Sequence, residues 1–249
     1  MIEKRGIGFR GSSQGQVTVF IIVGILILLV FAGIFYFFRS SITEKLTAEG
    51  EPVLAEVPSE FQPVQSYTDN CISQISKRGV KILGQQGGYI YPDLAGDFSP
   101  VNPTDADGIN LDPVKVPYWY YNKQPNRASK ISLTSLQPKL HSKDDPYLSI
   151  EAQLARFVNE KLGSCLQNYT SFAQQGLAVQ ILSPQESKVV ISANTVNVQV
   201  NMKLQAKSAT AEHQFDTFYI KIPIALQHYY DVAEQITKAE QNNSFLDLR

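Results

Sequence analysis

The sequence predicts an α+β protein: an amino-terminal transmembrane helix, then an extracytoplasmic domain in which an antiparallel β-meander of about four strands packs with two or three helices. Three observations carry that prediction. Residues 17–38 are 22 consecutive uncharged positions, 17 of them Val, Ile, Leu or Phe. Val196, Val198, Val200, Met202, Leu204 and Ala206 alternate strictly with Asn197, Gln199, Asn201, Lys203, Gln205 and Lys207, the period of a strand with one buried and one wet face. Leu148, Ile150, Leu154, Phe157, Val158 and Leu162 recur at helical spacing.

Residues 1–16 form a short basic tail or leader. Residues 17–38, at about 1.5 Å per helical residue, span roughly 33 Å, enough for a hydrocarbon core of about 30 Å. Thr18, Gly24, Ala32 and Gly33 do not offset that apolar sum. The run is too long for the core of a cleaved secretory signal, and it shows no polar face for a buried soluble helix. Lys4, Arg5 and Arg10 precede it and Arg39 and Lys45 follow, a slight bias toward a cytoplasmic amino terminus with the rest of the chain outside a single-pass cell-membrane anchor.

Residues 39–63, with Glu44, Glu49, Glu51, Glu56, Glu60, Gly50, Pro52, Pro58 and Pro63, read as a helix extension and linker. The domain proper is expected over 64–249. Tyr67, Cys71, Ile75 and Ile82 mark a helix over about 64–83, ended by Gly87-Gly88. Residues 92–143 read as turns, with Tyr89-Ile90-Tyr91 and Tyr118-Trp119-Tyr120-Tyr121 as short strands of an excursion. The long alternating strand is expected to pair with 188–192 and 214–222, with Leu177, Val179 and Ile181 supplying a fourth strand. A final helix over 225–241 turns Leu226, Tyr229, Tyr230, Ala233 and Ile236 toward one side.

Cys71 and Cys165 are the two cysteines, and an isolated pair in an exported domain reads most simply as a disulfide; two buried free thiols are the other reading. Closing a loop of about 95 residues stabilises a fold by roughly 4 to 5 kcal/mol in the chain-entropy model. Asn168-Tyr169-Thr170 and Asn242-Asn243-Ser244 match the glycosylation triplet.

Ser13-Gln14-Gly15-Gln16-Val17-Thr18-Val19-Phe20 places a glycine directly before the apolar run. This resembles the archaeal class III signal peptide of type IV pilin-like proteins, which implies cleavage between Gly15 and Gln16 and a span retained as an assembly helix. Gln14 stands where that family carries Lys or Arg, and Phe20 stands where it carries an acidic residue. A plain signal anchor is the alternative. Residues 15–22, Cys71-Ile72, the stretch from Gln85 to Pro92, the stretch from Pro117 to Asn122, and Cys165-Leu166 together look like uncharacterised single-span membrane-anchored proteins of small-genome archaea. That resemblance implies no activity. Its members often run longer, which implies a chain truncated after Phe245-Leu246-Asp247-Leu248-Arg249.

No catalytic signature is present, and the chain reads as a non-enzyme. His141, His213 and His228 lie far apart, outside any ligand spacing. Neither cysteine has a C-x-x-C partner, and there is no nucleophile elbow or phosphate loop. Asp105, Asp107, Asn110 and Asp112 around Gly108 hold the oxygens of a weak calcium candidate without EF-hand spacing, and the same residues are ordinary turn formers. Tyr89, Tyr91, Tyr118, Trp119, Tyr120 and Tyr121 are an aromatic concentration that reads either as a binding platform or as packing. A net charge of -1 excludes nucleic-acid binding by charge. The reading is a membrane-anchored module for binding or envelope structure, with a pilin-like filament subunit as alternative. The implied partners are the lipid bilayer and a protein or cell-surface ligand; no cofactor is implied.

Overall fold

The computed structural model describes residues 22–29, 31, 56–99, 101, 106–121 and 134–243. The chain divides into two units, Met1–Val53 and Leu54–Arg249. In the first, residues 22–29 and 31 are helical, and their large apolar side chains are all exposed, from Val23 at 46% to Leu28 at 70%. Among the described residues no helix is long and apolar enough to cross a membrane. Most of the expected 17–38 span, with Gly15 and Gln16, lies outside the described residues.

The second unit is α+β, as the sequence predicts. Helix α1 (Gln62–Gln85) and helix α2 (Ile150–Leu166) pack on each other and on one face of a four-stranded antiparallel sheet. The folded unit begins earlier than residue 64: Phe61 is fully buried and its N–H donates to Pro58. Gly79 lets the two helices approach closely, since a Cβ there would collide with Leu154 Cδ1 and sit 3.1 Å from Phe157 Cδ1. Gly88, at φ +91°, turns the chain out of α1, its N–H donating to Leu83 O at 2.7 Å. At the start of α2, Ser149 caps the first turn by accepting from Ala152 N–H at 3.2 Å.

Strands β5 (Ala178–Ile181), β6 (Glu186–Ile191), β7 (Val196–Lys207) and β8 (Glu212–Ile222) form the sheet. β8 pairs along the length of β7 with a shift in register between Asn201 and Leu204. β6 pairs with Val196–Asn201 and β5 with Leu204–Lys207, so both lie end to end on the other edge of β7. The fourth strand therefore extends an existing strand; it does not widen the sheet. The break falls at Ser183-Pro184, where a proline cannot donate to the ladder and Ser183 Oγ accepts Lys203 N–H at 2.9 Å in its place. Val196, Val198, Val200, Met202, Leu204 and Ala206 are 0–1% exposed beneath the helices. α1 lies over β8 and α2 over β6.

The described residues between 86 and 138 form an excursion in which the turn expectation is corrected in detail. Tyr89-Ile90-Tyr91 is not a strand but leads into a 3₁₀ turn, Pro92–Leu94. β1 (Gly108–Leu111) and β2 (Val114–Pro117) make a hairpin, and β3 (Tyr120–Tyr121) pairs with β4 (Thr134–Ser135). After a 3₁₀ turn (Gln167–Tyr169), α3 (Thr170–Ala173) is a single short turn, and α4 (Leu226–Asn243) closes the described chain. Tyr229 and Ile236 of α4 are exposed, against expectation, while Leu226, Tyr230 and Ala233 are half-buried. At 3.6 residues per turn, Tyr229 and Ile236 lie roughly 60 to 80° round the helix from Leu226, outside the covered arc.

Candidate functional site

The six aromatic residues singled out in the sequence are drawn into the excursion, and their polar ends hold it. Tyr89 is 3% exposed and donates its hydroxyl to Leu136 O at 2.7 Å. Trp119 Nε1 donates to Gly87 O at 2.8 Å, and its ring lies 5.6 Å from that of Tyr230. Tyr120 donates to Gln137 Oε1 at 2.9 Å, and Tyr121 donates to Asp107 Oδ1 at 2.7 Å. Tyr91 reaches the outer side of α2, donating to Glu160 Oε2 at 2.7 Å with Arg156 4.4 Å above its ring. Tyr118 is the exposed member, tilted against Tyr121.

Three glutamines that the sequence did not mark, together with residues of the expected final helix, complete this cluster. Gln137 accepts from Tyr120 and donates through Nε2 to Tyr230 Oη at 2.9 Å and Glu234 Oε1 at 3.1 Å. Tyr230 in turn donates to Pro138 O. Gln153, 1% exposed on α2, accepts from Ile90 and Tyr91 N–H and donates to Leu148 O at 2.6 Å. Gln86 donates to Tyr89 O at 3.1 Å. Buried amides must be paired, and pairing across 62 to 97 residues of sequence has no local signature.

Burial pushes the Tyr89 phenol up to about 12, with the charge of Asp145 adding to it. Tyr121 is raised to about 12 by burial and by its hydrogen bond to Asp107. Burial and the Glu160 hydrogen bond raise Tyr91 as well, while the Tyr91 and Arg156 hydrogen bonds lower Glu160. These phenols are neutral donors at physiological pH. None is poised as a base.

In the calcium candidate, Asp107 and Asn110 are engaged in hydrogen bonds within the chain. Asp107 is 7% exposed; its carboxylate accepts from Tyr121 and from Asp97 N–H. Asn110 donates to Phe98 O and accepts from Asp112 N–H. β1 is extended, which separates Asp107 from Asp112 by roughly 15 Å, and Asp105 lies outside the described residues. Among the described residues no group of three His, Cys, Asp or Glu is placed to hold a metal ion.

Of the histidines, His213 lies against Phe61 and Phe215, and His228 against Tyr229. His141 does more than an edge residue: its Nδ1 sits 2.9 Å from Glu151 Oε1. Glu151, 6% exposed in the first turn of α2, also accepts from Ser142 N–H at 2.7 Å and Ile191 N–H at 2.8 Å. One carboxylate thus ties loop, helix and sheet.

The cysteines are joined: Cys71 in α1 and Cys165 in the last turn of α2 form a disulfide with their Cα atoms 5.8 Å apart. Directly after it, Gln167, Asn168 and Tyr169 take φ of 47°, 51° and 56°, three consecutive non-glycine residues in the left-handed region. Such a run costs roughly 1–2 kcal/mol per residue, least for Asn. Tyr169 offsets it, being 2% exposed with its hydroxyl 2.8 Å from Thr68 Oγ1 and its ring among Tyr67 and Phe172.

No protein-family model, curated protein or solved structure matches the chain. Function is therefore argued from these residues themselves.

Proposed function

We propose that this chain is a single-pass, membrane-anchored extracytoplasmic protein without catalytic activity, presenting its α+β head for binding or for envelope structure. The observation that carries the reading is the Cys71–Cys165 disulfide in a folded unit that follows an uncharged apolar run. Disulfides persist in oxidising compartments, outside the cytoplasm. The exposed apolar side chains of the helical residues 22–29 support it, since lipid covers such a surface at no cost while water does not. A role in presentation rather than catalysis is supported by the aromatic cluster, in which the hydroxyls of Tyr89, Tyr91, Tyr120 and Tyr121 are committed to hydrogen bonds within the chain.

Protease added to intact cells is expected to remove the head, and thiol labelling without reductant to leave both cysteines unmodified. A protected head with two reactive thiols overturns the reading. The glycine before the apolar run favours a second reading, a pilin-like filament subunit. A mature chain that begins at Gln16 by mass spectrometry supports it, and an intact leader argues against it.

A further inference from the structure

We infer that Asn168 is a site of N-linked glycosylation, acting as acceptor for an oligosaccharide carried on a polyprenyl phosphate lipid. The inference rests on the extracytoplasmic reading of the head and adds a modification to it. Asn168-Tyr169-Thr170 supplies the acceptor triplet, in which the first residue receives the sugar and the third presents a hydroxyl. The structure separates the roles of the three residues. Asn168 and Thr170 are both exposed, and neither side chain has a hydrogen-bond partner among the described residues. Tyr169 between them is buried and anchored to Thr68, which fixes the turn while leaving its neighbours outward.

The backbone is equally apt. Asn168 has φ 51° and ψ 26°, left-handed values in the middle of the short 3₁₀ turn that joins α2 to α3. The other triplet differs: Asn242 and Asn243 belong to helix α4, and Ser244 lies outside the described residues.

In the transfer, the side-chain amide nitrogen of Asn168 bonds to the anomeric carbon of the sugar. The bond from that carbon to the phosphate oxygen breaks, its electron pair leaves with the lipid phosphate, and the amide gives up one proton to a base of the transferase. No oxidant is needed. The sugar would stand three residues from Cys165 and shield that end of the disulfide.

The test is peptide mass spectrometry of the full chain purified from the cells that make it, digested without reductant. The Asn168 peptide is expected to be heavier by whole sugar residues, the shift vanishing in both N168Q and T170A and persisting in T170S. T170A leaves Asn168 in place, so loss there cannot come from a misfolded acceptor turn alone when the disulfide-linked peptides are intact. A bare Asn168 beside a linked Cys71–Cys165 pair overturns the glycan and spares the topology. A bare Asn168 with free thiols overturns both.

Discussion

The helix-on-sheet layer and the excursion of residues 86–138 are stabilised by different forces. In the layer, α1, α2 and the inner face of β7 bury Ile72, Leu154, Leu162, Val198 and Met202 at 0–1% exposure, and the gain comes from apolar surface removed from water. In the excursion, Tyr89, Trp119, Tyr120, Tyr121 and Gln137 each commit a polar group to a distant partner. Each such bond contributes about 0.5 to 1.5 kcal/mol net. The layer should therefore unfold as one, and the excursion should open before it.

Truncating the layer gives the largest expected effect. Leu154 is fully buried and fills the space above Gly79, so Leu154→Ala should cost about 2 to 5 kcal/mol of global stability. Chemical denaturation with a midpoint shift and an unchanged slope is the check. A loss below about 1 kcal/mol would mean that the helices repack, and the contrast with the excursion would fail. Replacing both cysteines by serine should cost about 2 to 5 kcal/mol, the chain-entropy value for this loop lying at the upper end. The same loss should appear in the unsubstituted protein under reductant.

Gln137→Ala sharpens the comparison from the other side. It deprives Tyr120, Tyr230 and Glu234 of a shared partner, at about 1 to 2 kcal/mol, yet touches no residue of the sheet. Hydrogen exchange should rise in residues 107–121 and in the first turns of α4, with the amides of β7 unchanged. If β7 loses protection in parallel, the two regions form one cooperative unit.

This division also explains what could be read from the residues. The alternation of β7, the apolar stripe of α2 and the cysteine pair announce themselves because burial imposes a period on the sequence. Pairing of β5 and β6 on one edge was not legible, since it depends on where Pro184 interrupts the ladder. Within the candidate cluster, tyrosines and tryptophan were visible as composition. Their partners Gln137 and Gln153 were not, because an amide is equally at home in a turn or on a surface until the fold brings its partner within 3 Å. Glu151 was hidden likewise: its three partners come from a loop and from β6, 9 to 40 residues away.

The smallest predicted effect has the opposite sign. Asp69 lies in α1 and has neither an ion pair nor a hydrogen bond among the described residues. Burial raises its carboxyl from 3.8 to about 6. A carboxyl raised on folding binds its proton more tightly in the native state, so it favours the fold fully below pH 3.8, where both states are protonated in the same way as Asn is neutral. That advantage fades as pH climbs toward about 6, and above it the native state carries a half-buried charge at full penalty. The whole shift corresponds to about 3 kcal/mol at 1.36 per unit, and partial exposure to water reduces this to about 1 kcal/mol. Asp69→Asn should therefore stabilise the head by about 1 kcal/mol at pH 7 and leave it unchanged near pH 3.5. Thermal melts of the two proteins across that window decide the matter: curves that stay parallel from pH 3.5 to 7 would place Asp69 in a fully solvated setting.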